Sequence, residues 1–296
     1  MKKRFFTLIV IAYAIFIGIG AVQVNAVSEI CFMQNQQKEV LEIYQTKKEI
    51  ALPVLMYHRV FNGGHKSSYI ITPKQLEEDL IELKKAGYIA VLPSEVLAFV
   101  EGKGTLPSRP IMITFDDGHY NNLHYALPLF KKHGFNGVIN VVGKFCEYAT
   151  VSDNRGKPAS SFLTWNEVAK LEQSALFEIG SHTYNMHDYK PRFGIRRLED
   201  ESDEKYYEAL KQDDTRLKKA LKEKANIETN VFAYPFGAYC GNSRDLITGL
   251  GYKVIFTANQ KINYIKQGDF EALRWLGRIN RESDWTSKQM IEKILN

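Results

Sequence analysis

Cysteine is scarce in this chain: Cys31, Cys146 and Cys240 are the only three among 296 residues. An odd set with no C-x-x-C spacing supports neither a disulfide framework nor a cysteine-ligated metal, and isolated thiols remain. Internal repeats and low-complexity tracts are also missing, which excludes solenoids and arrays. Charge of one sign is lacking too. The formal charge is +5, from 39 basic and 34 acidic residues, but Lys2, Lys3 and Arg4 supply three of those positive charges. Beyond residue 26 the balance is 36 against 34, or +2, so there is no electrostatic footprint for nucleic acid. An apolar fraction of 45% in a chain of this length suffices for one large core and does not require two.

One long apolar run is present. FFTLIVIAYAIFIGIGAV, residues 5–22, follows the basic triplet and ends in QVNA, where Val24 and Ala26 flank a small-residue cleavage site. That is the layout of a secretory signal, residues 1–26. Eighteen apolar residues also suffice for an uncleaved membrane anchor, and either outcome places the rest outside the cytoplasm, secreted or on the outer face of the membrane. Ile30 is too large for the pattern that precedes a lipidated cysteine, so Cys31 is not read as a lipid attachment site. Residues 27–50 read as a polar spacer and 51–296 as the catalytic domain. A monomer is expected, with membrane contact only through the N-terminal segment.

From ALPVLMYHRV onward, short β-rich runs alternate with amphipathic stretches. The pattern predicts strands at 53–57, 88–92, 111–115, 137–142, 176–181, 231–235, 252–257 and 273–279. Thr72-Pro73-Lys74-Gln75 and Thr164-Trp165-Asn166-Glu167 are capping boxes that open helices, and Gly87 closes the first. The charged segment 203–225 reads as a solvated helix with an apolar stripe through Tyr207, Leu210, Leu217 and Leu221. Alternating β and α units argue for a parallel sheet, and about 240 residues is the size of a single α/β domain of (β/α) barrel type. In such barrels the chemistry sits at the C-terminal ends of the strands.

TFDDG, residues 114–118, places adjacent carboxylates at one strand end. They repel each other and disfavour a strand, penalties that a bound cation removes. SHTYNMHDY, residues 181–189, puts His182 and His187 just past another strand. A carboxylate and two imidazoles suit Zn²⁺ or a similar divalent ion with positions left open, which is a catalytic and not a structural type of site.

TFDDG, SHT with its second His187, and AYPFG at 233–237 together resemble the ordered motifs of the polysaccharide deacetylases of carbohydrate esterase family four, the NodB homology domain. LPVLMYHRV and RWLGRINR look like the branch containing the poly-N-acetylglucosamine deacetylases. The resemblance implies a distorted barrel of about seven strands and metal-dependent hydrolysis of N-acetyl groups on a cell-surface polymer of N-acetylglucosamine, either exopolysaccharide or peptidoglycan. It also implies one divalent ion, expected to be Zn²⁺, on Asp117, His182 and His187. Asp116 is then the general base, and the backbone N–H of Phe236, after Pro235, faces the oxyanion.

Three departures from the family pattern matter. His182 and His187 are five residues apart instead of four. Ala233 stands where an Arg usually partners the catalytic Asp, and Leu276-Gly277-Arg278 replaces a late Leu-x-His that supplies the general acid. His58, at the end of the first strand, is the candidate acid, and Arg278 the candidate partner of Asp116. Tyr184, Pro235 and Tyr239 are candidate substrate contacts, while His65, His119, His124 and His133 read as structural or exposed. The polar stretch 146–161 is expected to line the substrate groove. A degenerate barrel that binds wall glycan without cleaving it is the alternative; the missing acid and Arg favour it, and the intact carboxylate and histidine pairs oppose it.

Overall fold

A computed structural model describes residues 49–63, 67–152 and 155–295. The signal or anchor segment, nearly all of the 27–50 spacer, Cys31 and His65 lie outside the described residues. The strands are β1 (Ile50–Leu52), β2 (Val54–Tyr57), β3 (Arg59–Val60), β4 (Ile70–Ile71), β5 (Ile89–Ala90), β6 (Pro110–Phe115), β7 (Gly137–Val141), β8 (Phe177–Ser181), β9 (Val231–Ala233), β10 (Val254–Phe256), β11 (Asn263–Ile265) and β12 (Ile279–Asn280). The helices are α1 (Pro73–Lys85), α2 (Pro93–Val100), α3 (Leu127–His133), α4 (Gly143–Val151), α5 (Trp165–Gln173), α6 (Asp203–Ala225), α7 (Ser243–Gly249), α8 (Phe270–Leu273) and α9 (Ser287–Leu295). None is long and apolar enough to cross a membrane.

The main sheet runs β10-β9-β8-β7-β6-β2-β12, with β5 beside the start of β6. Its neighbours are parallel throughout, as βα connections require. The sheet curls toward a barrel. Leu276 exchanges backbone hydrogen bonds with the Ile255–Thr257 stretch while Ile279–Asn280 pairs with β2, so one short segment links the two ends of the sheet. A strand over 273–279 was expected there; instead Asp269 caps α8, Leu276 makes a single bridge, and the strand begins at Ile279. Gly277 allows the turn between them, since a Cβ would lie 2.5 Å from the Asn259 carbonyl oxygen.

Both capping boxes form. Thr72 and Thr164 each accept the backbone N–H three residues on, and Gln75 and Glu167 return the bond. In α6 the stripe is phased on Tyr206, Leu210, Leu217 and Leu221, not on Tyr207, which stays half-buried with Lys211 over its ring. Positions 206 and 207 both lie one turn from Leu210, and burial of the Tyr206 hydroxyl on the Ile195 carbonyl, at 2.7 Å, decides between them.

Alternation along the strands separates two cores. Val54, Met112, Val138, Val231, Val254 and Phe256 fill the inner side, while Leu55, Ile113, Phe115, Ile139, Val141 and Ile179 pack outward under the helices. Two-residue periodicity then carries Met112, Thr114 and Asp116 up the inner face of β6, ending at the mouth. Below the C-terminal strand, Arg281 grips Asp79 of α1 through Nε at 2.8 Å and Nη2 at 3.0 Å, and the Tyr57 hydroxyl donates to the same carboxylate at 3.0 Å. This pair is fully buried, so removing one partner leaves an uncompensated charge. Arg281→Met is expected to cost about 3–5 kcal/mol in denaturant-induced unfolding. Paired Asp79→Leu and Arg281→Met substitutions should recover most of that loss, and equal losses in single and double variants would contradict it.

Candidate active site

Asp116 is the last inward position of β6, its N–H held by the Tyr57 carbonyl at 3.0 Å. Its Oδ1 accepts from Arg278 Nη1 and from Asn140 Nδ2, both at 2.8 Å, and its Oδ2 accepts from Arg278 Nη2 at 2.8 Å. Arg278 is itself fixed by donating to the Thr257 carbonyl at 2.9 Å. Each carboxylate oxygen has two acceptor sites, so Oδ1 is saturated and Oδ2 keeps one, 4.0 Å from His182 Nε2. Burial would raise the pKa of Asp116, but Arg278 and His182 overrule it and hold the carboxylate far below its ordinary range.

Asp117 leaves the strand with φ of 73° and turns its side chain away from Arg278. Its Oδ1 lies 3.0 Å from His187 Nε2 and 3.7 Å from His182 Nε2. On β8, Gly180 leaves the space that Asn140 needs to reach Asp116, since a Cβ there would sit 2.1 Å from the Asn140 amide oxygen. His182 Nδ1 is 2.8 Å from the Ala233 carbonyl. A carbonyl oxygen can only accept, so Nδ1 carries the proton and Nε2 presents a lone pair to Asp117. Burial pushes His182 down to about 4, which keeps it neutral. Burial opposes charge on His187 as well, but the Asp117 carboxylate outweighs it and raises that imidazole.

These donors fit a divalent ion. The nearest ligand atoms of Asp117, His182 and His187 all lie within 4.8 Å of one another. Tetrahedral zinc with bonds of about 2.0–2.1 Å to N and O sets ligands roughly 3.3 Å apart, a value that the two Oδ1 separations bracket. The five-residue spacing is absorbed by a loop whose N–H groups at Tyr184 and Asn185 donate to Asp213 of α6 at 2.6 and 2.8 Å. Left-handed backbone is concentrated here: Asp117, Thr183 and Phe236 have φ of 73°, 71° and 57°. Thr and Phe rarely adopt it, and such strain gathers where a site over-determines the chain.

The structure thus brings together Asp116, Asp117, His182, His187 and Arg278, with the Phe236 ring 4.4 Å from that of His187. Half-buried His58 lies in the field of both carboxylates, its Nδ1 has no hydrogen-bond partner, and desolvation lowers its pKa. Three other expected contacts are packed against their neighbours. Tyr184 is 5% exposed beneath the Arg216 guanidinium, Pro235 is buried, and Tyr239 packs edge-on against Trp275. Two residues escaped sequence reasoning. Asn140 is the inward polar position of an otherwise apolar strand, a break in alternation that would have flagged it. His119 is not an isolated histidine: its Nε2 is 3.3 Å from Asp117 Oδ2, and its ring stacks on Phe162. The 146–161 stretch is in part helix α4, and its far end docks on the TFDDG turn through Tyr120 N–H to Ser161 and Leu163 N–H to Gly118.

The model of the polysaccharide deacetylase family matches residues 103–255, more than half of the chain. The chain belongs to this family. It is 23% identical over 268 residues to the poly-beta-1,6-N-acetyl-D-glucosamine N-deacetylase of Escherichia coli K12, an alignment that covers 82% of this chain and 39% of that protein. It therefore spans well under half the length of that relative. Among solved polysaccharide deacetylase folds, IcaB from Ammonifex degensii superposes with a TM-score of 0.67 at 25% identity, over 83% of this chain and 98% of IcaB. The de-N-acetylase from Aggregatibacter actinomycetemcomitans gives 0.68 at 24% identity, over 82% and 99%.

His187 must lose its proton to bind an ion, and its pKa is raised, so metal affinity should fall as pH drops through and below neutrality with about one proton displaced per ion. Chelator competition against pH measures this; a pH-independent affinity contradicts it. His119 holds the Asp117 oxygen that faces away from both imidazoles, so His119→Ala should weaken the metal about 10–100-fold without changing that proton count.

Proposed function

We propose that this chain is a metal-dependent N-deacetylase of a cell-surface N-acetylglucosamine polymer, releasing acetate and leaving a free amine. The observation that carries the reading is the division of labour between adjacent carboxylates: Asp116 belongs to Arg278, and Asp117 to the imidazoles. A divalent ion on Asp117, His182 and His187, expected to be Zn²⁺, would supply an electrophile that acidifies a coordinated water and polarises the acetamide carbonyl.

Asp116 Oδ2, with its one free acceptor site facing His182, takes the proton of the attacking water. Because Arg278 holds it far below the ordinary carboxylate range, Asp116 gives that proton up readily. Oxygen adds to the carbonyl carbon, and the negative charge on the carbonyl oxygen is met by the Phe236 N–H; loss of such a donor typically costs a hundredfold or more. The proton taken by Asp116 passes to His58, half-buried in the field of both carboxylates with an unpartnered Nδ1, and the C–N bond breaks as His58 hands it to the departing nitrogen. Acetate and a glucosamine unit result. Arg278 fills the place that Ala233 leaves empty, while the Ala233 carbonyl fixes the His182 tautomer.

We assign the β-1,6-linked exopolysaccharide as the preferred substrate, over β-1,4 wall glycan. The support is the MYHRV and RWLGRINR stretches, the five-residue His spacing and the activity that the Escherichia coli relative is named for. The N-terminal apolar run supports a secreted or surface-attached protein. Acetate release from defined β-1,6 oligomers should exceed that from the β-1,4 series and vanish with chelator; preference for the β-1,4 series would overturn the substrate while leaving the chemistry. Asp116→Asn should retain metal and lose a hundredfold or more in rate. Loss of metal in that variant would mean that the two carboxylates share their roles.

A further inference from the structure

Three aromatic rings form a near-parallel stack at the rim of the site. Phe236 and Phe193 lie 5.2 Å apart with planes 8° from parallel, and Tyr189 stacks on Phe236 at 4.7 Å and 26° and on Phe193 at 5.7 Å and 23°. Phe236 also touches the ring of His187. All three centroids are mutually close, so the rings form one cluster that meets the His187 imidazole through Phe236 and opens to solvent at Tyr189, which is 72% exposed. Among the exposed large apolar side chains of the described residues, Tyr189 alone is stacked on a residue in ring contact with a proposed ligand. His187 also meets half-buried Phe145 at 5.5 Å, and Phe145 and Phe162 stack on each other at 4.3 Å.

A rigid aromatic face held open to solvent, with a phenol edge, suits a partner that is flat and apolar on its faces and hydroxylated at its rim. A pyranose ring is such a partner: its axial C–H bonds line its faces and its hydroxyls point outward. A sugar whose acetamido group reaches the space between His182 and His187 has its polymer neighbour one ring further out, where Tyr189 lies. We propose that Tyr189, backed by Phe236 and Phe193, is the platform on which the sugar adjoining the deacetylated residue stacks. This rests on the reading of the chain as acting on an N-acetylglucosamine polymer. Tyr189 is a specificity residue for chain length and takes no part in the chemistry. The backing rings matter because a platform already ordered loses little side-chain freedom when the sugar arrives.

The test compares wild type, Tyr189→Ala and Tyr189→Phe as zinc-loaded full chains on two probes: a β-1,6-linked N-acetylglucosamine pentamer, and 4-nitrophenyl acetate, which has no sugar. Tyr189→Ala should lose tenfold or more in kcat/KM on the pentamer, carried mainly by KM, and nothing on the ester. Tyr189→Phe, which keeps the face, should stay within about threefold of wild type, since the stack and not the hydroxyl carries binding. Equal losses on both probes, or no loss on the pentamer, would overturn the platform. Calorimetric titration of the pentamer into the same three proteins in an Asp116→Asn background reads the platform without turnover, through weaker binding in Tyr189→Ala alone. Wild type that binds the pentamer through Tyr189 but releases no acetate keeps the platform and sinks the deacetylase reading.

Discussion

The site depends on one buried ion pair. Two neighbouring carboxylates at the end of β6 would repel each other and share a proton if no cation faced either of them. Arg278 prevents that by clasping Asp116 from the last strand with both terminal nitrogens, while the left-handed turn at Asp117 aims the second carboxylate at the imidazoles. A buried pair of this kind contributes little net stability once desolvation is counted. Its consequence here is geometric: one carboxylate is fixed as an ionised acceptor and the other is left facing the two imidazoles. Asn140 completes the arrangement by saturating Oδ1, so the free acceptor site of Asp116 points toward His182.

The curled sheet supplies what that pair requires. Arg278 reaches Asp116 because β12 lies beside β2, and β2 beside β6, so the end of the chain is brought to its first motif. The Arg281 to Asp79 pair anchors the same segment from the outer side. On the other flank, β9 offers the Ala233 carbonyl that sets the His182 tautomer, and α6 offers Asp213 to hold the loop between the histidines. Each contact orients a group that in turn orients a ligand, which is how such sites keep their basicity and aim.

Much of this is legible in the chain before folding. Seven of the eight predicted strands fall on observed ones because apolar alternation and capping boxes are local signals, and TFDDG stands at a strand end because the run before it is apolar and unbroken. Arg278 could be proposed as the partner of Asp116 from its place at the end of the last expected strand, although contact across 162 residues is a tertiary fact. The errors share a cause. Tyr184 and Tyr239 are aromatic residues beside motifs, and sequence does not say which way a ring turns; Tyr184 is buried and Tyr239 half-buried against Trp275, while Tyr189, unremarked in the pattern, is the exposed ring, packed on Phe193. His119 looked isolated because its constellation is assembled by the Asp117 turn and by Phe162, 43 residues away in the chain by their numbering.

The division between the two carboxylates is tested most directly by Arg278→Gln, followed through metal stoichiometry and the pH dependence of acetate release. Arg278 lowers the pKa of Asp116, so its loss should raise that pKa: the base is then ionised only at higher pH, and the acidic limb of kcat/KM moves upward. The account predicts that shift together with an unchanged stoichiometry of one ion per chain. An unmoved acidic limb, with the ion lost instead, would contradict it by showing that Arg278 serves the metal site and not the base.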